Sequence, residues 1–407
     1  MRAFLIVLLS LGLAACSQQD GTSPGSDAAP LQTGLLISLA VLDSDAAGNP
    51  LPQPARLGFL VREETGWVYH ALEDPDSNVF HKAMVYAPSP GRAGVLTLGG
   101  TRAILRLWRL DGAPDLIWEK DFGGQFSRMR DAEVADLYGD GVSALAVATH
   151  DQGVVAIVRP DPAGGYLVEE LDQEPGVIVH EIEVGDLDGD GTLEVYATPS
   201  AMNLLDGTPQ PGSVTRYVPA AGERRVVVAD LGDRHAKEIL VDDVDGDGRD
   251  ELYVVVEAVS GGNVEILRFD ASTDPQAGSL VATLDDTLCR FLTAGDVDGD
   301  GRKEMVAAAR RSGLWLLRPG ESGAAWEVTS IDRDSGGFEH ASILTDLDGD
   351  GRDELYVASD DHGEIRRYIW HEGEFVREVL YKYPDSLGRF TWNLMPVPVE
   401  LIPPTGS

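Results

Sequence analysis

Carboxylates recur in this chain at intervals that suit a hard cation. Four stretches read Asp-x-Asp-Gly-Asp-Gly-x-x-Glu: Asp186, Asp188, Asp190 and Glu194; Asp243, Asp245, Asp247 and Glu251; Asp296, Asp298, Asp300 and Glu304; Asp346, Asp348, Asp350 and Glu354. Acids at positions 1, 3, 5 and 9 join the backbone carbonyl of position 7 (Thr192, Arg249, Arg302 or Arg352) in an oxygen cage. Ca²⁺ takes roughly six to eight such ligands. Glycine at position 6 lets the chain turn sharply with no Cβ in the way. A fifth stretch keeps Asp136 and Asp140 but has Tyr138 and Ala144 at positions 3 and 9, so it is expected to hold metal weakly or not at all. About four calcium ions are therefore expected. An EF-hand places its last acid at position 12 between helices. Here it comes at position 9, and residues 251–256, 304–309 and 354–358 read as strand. The cage nearly fills the ion's shell, so clamping a hairpin is preferred to direct chemistry on a ligand.

Two strands must hold each loop, and the spacing says how they are arranged. First aspartates fall at 136, 186, 243, 296 and 346, in steps of 50, 57, 53 and 50. About 50 residues accommodate four short strands, one propeller blade. Around Asp296 the strands are expected over 290–295, 304–309, 313–318 and 326–331, with glycine and proline between them. Six residues before each first aspartate stand Arg130, His180, Lys237, Arg290 and His340, and a step of 49 to either side reaches His81 and Arg389. That makes seven inner strands. The last has nothing after it, while segments 34–43, 56–63 and 66–73 near the start lack an inner strand. Pairing them closes the ring and removes open sheet edges. The expected fold is all-β, a seven-bladed β-propeller of four-stranded blades whose closing blade is shared between the two ends of the chain.

The acidic loops and their flanking strands resemble the FG-GAP and VCBS-type repeats of integrin-α-like β-propellers, over roughly residues 80–390. No repeat opens with Phe-Gly, and the usual Gly-Ala-Pro close survives only as Ala197-Thr198-Pro199. The resemblance implies calcium and a propeller, and some lyases and dehydratases use propellers of this repeat type.

Residues 1–16 read as an export signal: Arg2, an apolar run from Ala3 to Leu13, then Leu13-Ala14-Ala15-Cys16, similar to a bacterial lipobox. That implies lipidation of Cys16, and Ser17 after it favours the outer membrane. Acyl chains anchor by burying methylenes, about 0.8 kcal/mol each. Residues 17–30 form a flexible tether and 31–407 the propeller. Cys289 is then left without a partner, so no disulfide framework is expected. The net charge of −36, from 32 basic and 68 acidic residues, excludes nucleic acid as a partner and argues against electrostatic binding to anionic lipid.

His81, Arg130, His180, Lys237, Arg290, His340 and Arg389 are expected to ring the channel mouth opposite the acidic loops. Three readings stand for them: a bound anion such as a carboxylate-bearing sugar, salt bridges to Asp131, Glu181, Glu238 and Glu339, or metal held by His81, His180 and His340. The long step of 57 reflects an insertion over 199–213 on the same face, able to wall a site. Strand-c arginines (Arg159, Arg216, Arg268, Arg318, Arg366) are read as blade packing. No nucleophile elbow, zinc-protease motif or phosphate loop is present. The leading functional expectation is a membrane-tethered binding platform for a protein or glycan. The alternative is an enzyme on acidic polysaccharide, a lyase or dehydratase, with His180 or His340 as base.

Overall fold

Runs of valine, leucine, isoleucine and alanine, cut by glycine every few residues, leave this chain little choice but short antiparallel strands. The computed structural model describes residues 33–403 except 65, 124–126, 151, 321–324 and 386. The signal with Cys16 and the tether over 17–30 lie outside the described residues.

Seven sheets follow in chain order, and each innermost strand packs on the next, the last meeting the first. Blade 1 holds Phe80–Tyr86, Gly94–Gly99, Ile104–Trp108 and Asp115–Glu119; blade 2 holds Met129–Ala135, Ala144–Thr149, Val155–Pro160 and Tyr166–Asp172. Blade 3 comprises Ile178–Gly185, Glu194–Ser200, Ser213–Val218 and Glu223–Asp230; blade 4 comprises Ala236–Asp242, Glu251–Val256, Val264–Phe269 and Ser279–Leu284. Blade 5 runs through Cys289–Gly295, Glu304–Ala309, Gly313–Pro319 and Trp326–Asp332, and blade 6 through Ser342–Thr345, Glu354–Ser359, Glu364–His371 and Glu374–Lys382. Blade 7 takes its inner strand, Gly388–Pro398, from the C-terminal end and Thr33–Ser44, Ala55–Glu63 and Gly66–Asp74 from the N-terminal end. The expected two-ended closure is what forms, Leu36 opposite Met395 and Val41 opposite Arg389.

The core is a set of seven layers, one between each pair of neighbouring blades. This explains why the second strand of a blade is apolar throughout rather than alternating. Ala144–Thr149, Glu251–Val256 and Glu304–Ala309 are buried at every residue because both faces meet a neighbouring sheet. Each fully buried leucine or valine contributes about 1.5–3 kcal/mol. Outer strands such as Glu223–Asp230 are exposed along most of their length.

Candidate functional sites on the two faces

The acidic loops lie on one face, each joining the first strand of a blade to the second. Their shape is set by backbone donors converging on the first aspartate. In blade 4, Asp243 accepts from the N–H groups of Gly246, Asp247 and Gly248 at 2.8–3.0 Å. Glycine is needed at positions 4 and 6, where φ is positive (76° at Gly246, 90° at Gly248). This folding gathers ligand oxygens of Asp243, Asp245, Asp247 and Glu251 within 4.8 Å of one another. Asp186, Asp188 and Asp190 converge likewise, as do Asp296, Asp298 and Asp300, and Asp346, Asp348 and Glu354.

The donor set fits a hard divalent cation. One buried oxygen, Oδ1 of Asp298, has no hydrogen-bond partner. Burial pushes Glu251, Glu304 and Glu354 up to about 7, as expected of carboxylates shielded from water with too little positive charge beside them. The glutamates are oriented from two sides. Glu251 accepts from the Val244 N–H and the Tyr253 hydroxyl, and Glu354 from Tyr356. These tyrosines escaped the sequence reading although Glu-x-Tyr recurs at 194, 251 and 354.

Strand-c arginines reach the loops. Arg216 pairs with Glu194 at 2.9 Å, and Arg268 with Asp245 and Glu251 at 2.8 and 3.2 Å. Arg318 meets Asp298 and Glu304 at 3.0 and 3.3 Å. They are therefore counter-ions to the loops rather than packing elements. In blade 6 that place belongs to Arg367, 3.8 Å from Asp348, while Arg366 turns to Glu364. The loop at Asp136 keeps the backbone pattern, Asp140 and Gly141 donating to Asp136 at 3.0 and 2.8 Å. There Arg159 sits over the Tyr138 ring at 4.7 Å and pairs with Asp140 at 3.3 Å.

At the centre, five of the seven expected ring residues converge. His81, Arg130, His180, Lys237 and Arg290 are all buried where the inner strands begin. Two of them are neutralised by the protein itself, Lys237 and Arg290 sharing Glu339, and the neighbouring Lys82 pairs with Asp131 and Glu133. Burial works against the Glu339 carboxylate, but Lys237 and Arg290 outweigh it and hold it down at about 2. Burial and the nearby Arg130 keep His81 and His180 well below the usual histidine range, hence neutral. The inner strands bulge here, and carboxylates of the preceding blade cap the freed donors: Ile182 N–H on Asp131 and Leu292 N–H on Glu238.

Two ring members turn away from the mouth. His340 has a positive φ of 60°, which swings its ring outward onto the Ala309 carbonyl (2.7 Å) and the Ser335 hydroxyl (2.8 Å) and puts Glu339 into the channel instead. In blade 7 the pairing slips at Trp392, which fills the channel against His81 and Arg130. Arg389 therefore stacks on Tyr383 at 3.9 Å and pairs with Asp385. With His340 fully buried and engaged at both nitrogens, it neither shares a metal with His81 and His180 nor offers a base to a substrate. The remaining space in the channel is about 30 Å³, too small for a sugar.

A cavity roomier than the channel, about 230 Å³, lies beside the mouth on the face away from the acidic loops. The 199–213 insertion walls it with Asn203, Leu205, Asp206, Gly207, Thr208 and Gln210. The insertion is tied down: Gln210 bonds Leu204 N–H and Met202 C=O, and Ser260 N–H reaches Gly207 C=O at 2.9 Å. His235 and Glu257 line the cavity, 3.4 Å apart, with Asn203 donating to Glu257 and Ser200 beside the far nitrogen of His235 at 3.1 Å. Arg310 and Arg311 form the opposite wall. No single stretch signals this pocket, because the insertion of blade 3 and segments of blades 4 and 5 contribute to it.

Residues 243–340 match the FG-GAP-like repeat family. No curated protein matches the sequence. Among solved structures the chain is similar to a putative 6-phosphogluconolactonase of Bacteroides fragilis, with TM-score 0.51 and 13% identity over 92% of this chain and 100% of that one. It is also similar to the periplasmic gluconolactonase of Pseudomonas aeruginosa, with TM-score 0.50 and 15% identity over 87% and 99%. A Lactobacillus plantarum protein gives 0.54 and 10% over 90% and 100%. At these identities the likeness is one of fold.

Proposed function

We propose that this propeller of FG-GAP-like repeats is a ligand-binding platform for a protein or glycan, carried on the bacterial cell envelope by lipid on Cys16, with outer-membrane placement favoured by Ser17. In this reading calcium in the four acidic loops stiffens one face and the mouth face binds. The observation that carries it is the pocket walled by the insertion, since pinned polar side chains around an open cavity suit recognition. Thr208→Trp fills that pocket from an exposed position. The full chain is expected to capture ligand from panels of glycans and envelope proteins, and the filled variant to lose capture while melting at the same temperature. Equal capture by both would sink the mouth-face reading. Labelled palmitate entering the wild type but not Cys16→Ser would support the anchor.

A second reading, an enzyme on acidic polysaccharide, draws support from the imidazole–carboxylate pair at the pocket. Oε1 of Glu257 is buried, with Arg290 3.7 Å away and no hydrogen-bond partner among the described residues, and a carboxylate oxygen beside a polar cavity is placed to take a proton. Release of unsaturated products from a polyuronate, abolished in Glu257→Gln, would favour this reading over simple binding.

A further inference from the structure

The chemistry of the mouth pocket narrows what it takes. Glu257 is already compensated, with Arg290 3.7 Å away and Asn203 donating to it. Arg310 and Arg311 are not: neither guanidinium has an ion-pair partner among the described residues, and Arg310 lies over the Phe338 ring at 5.2 Å. In a chain with 68 acids to 32 bases, Arg310 and Arg311 bring two unpaired cations to the lining of one cavity. Their backbone is fixed in advance. The carboxylate of Asp286, itself buried, accepts the N–H groups of Arg311 and Ser312 at 2.7 Å each, and that of its neighbour Thr287 at 2.6 Å.

We infer that the pocket binds a carboxylate-bearing sugar, a hexuronate or aldonate, with Arg310 and Arg311 taking the carboxylate. Guanidinium pairs a carboxylate through two parallel donors, and the hydroxyls meet Asn203, Thr208 and Glu257. The cavity, about 230 Å³, is below the roughly 300–1,000 Å³ of drug-sized sites, so it holds one sugar ring. No Phe, Tyr or Trp is among the described residues lining it, which disfavours a stacked neutral sugar. This inference rests on the mouth-face reading above and specifies its ligand.

Calorimetric titration of the full chain with galacturonate, glucuronate and gluconate, against galactose and methyl galacturonate, tests it. At least one acid is expected to bind in a one-to-one ratio and both uncharged sugars to fail. Arg310→Gln with Arg311→Gln should weaken binding about tenfold or more, with an unchanged melting temperature, whereas Arg62→Gln, exposed on the third strand of blade 7, should leave it intact. Silence toward all three acids, equal binding of galactose, or full binding by the double variant would overturn the inference. A neutral glycan or a protein whose capture Thr208→Trp still abolishes would overturn it too, yet leave the platform standing.

Discussion

Carboxylates crowd together in two places, and the crowding is resolved in opposite ways. In the channel the buried Asp131 and Glu339 and the partly exposed Glu133 are met by Lys82, Lys237 and Arg290 from the same chain. On the loop face three or four carboxylates converge within 4.8 Å, with one arginine at the flank. A centre sealed from water needs its counter-charge built in, because an unpaired buried ion is costly. A turn at the surface can take its counter-charge from solution. The Asp136 loop lies between the two cases: its hairpin closes on the same backbone bonds, and Arg159 stands over Tyr138 in place of an ion.

The largest expected effect falls on the loops together. Each saturated ion stabilises the folded state by about 3–4 kcal/mol at a hundred to a thousand times its dissociation constant. Chelation should therefore lower the melting temperature steeply, and calcium should restore it. Identical melting with and without chelator would remove the contrast between the two regions.

Next comes the centre. Lys237→Met strips Glu339 of one of its two cations at a site 1% exposed, and should lower unfolding free energy by about 3–5 kcal/mol in urea titrations. Adding Glu339→Met alone should not recover that loss, because Arg290 is then left without its carboxylate, whereas Glu339→Met with Arg290→Met should recover most of it. A single variant as stable as wild type would show that the channel charges are not compensated by one another.

A smaller effect tests the intermediate loop. Tyr138→Asp with Ala144→Glu restores the acids that the Asp136 loop lacks. Metal analysis should then find one calcium more than in the wild type, with a stabilisation of about 1–3 kcal/mol in saturating calcium. An unchanged count would mean that Arg159 still holds the place.

These contrasts were unequally legible in the sequence. Loop period and residue type announced blade number, loop position and the shared closing blade, because each depends on local pattern alone. The direction of a side chain at the start of an inner strand depends on bulges, and these have no residue signature. One positive φ at His340 and one slipped pair at Trp392 were enough to turn two of seven ring residues out of the channel. The same one-residue ambiguity put Arg366 where Arg367 belongs. The mouth pocket was visible only as an insertion of unusual length. Its charged wall, Arg310 and Arg311, belongs to blade 5, and nothing in the local sequence links it to Asn203.

The finest test of the comparison is pH. Burial pushes Glu238 up to about 8, against an ordinary value near 4.5, although Lys237 and the Leu292 N–H pull the other way. The folded chain therefore keeps a proton that the unfolded chain releases between those values. Stability must fall as pH rises through that window, by up to about 1.4 kcal/mol per unit, and level off above it. Glu133, Glu181 and Glu183 are also raised by burial and act in the same sense. Glu339 acts in the opposite sense, but only below about 4.5, where protonation would remove its pairing. Glu238→Gln can still accept the Leu292 N–H without carrying charge. In saturating calcium, urea titrations from pH 5 to 8 should show wild-type stability declining and the variant declining less, the gap widest at pH 8. Parallel curves would mean that Glu238 is ionised throughout, its charge balanced by Lys237, and that the channel holds even more of its counter-charge in place than its geometry indicates.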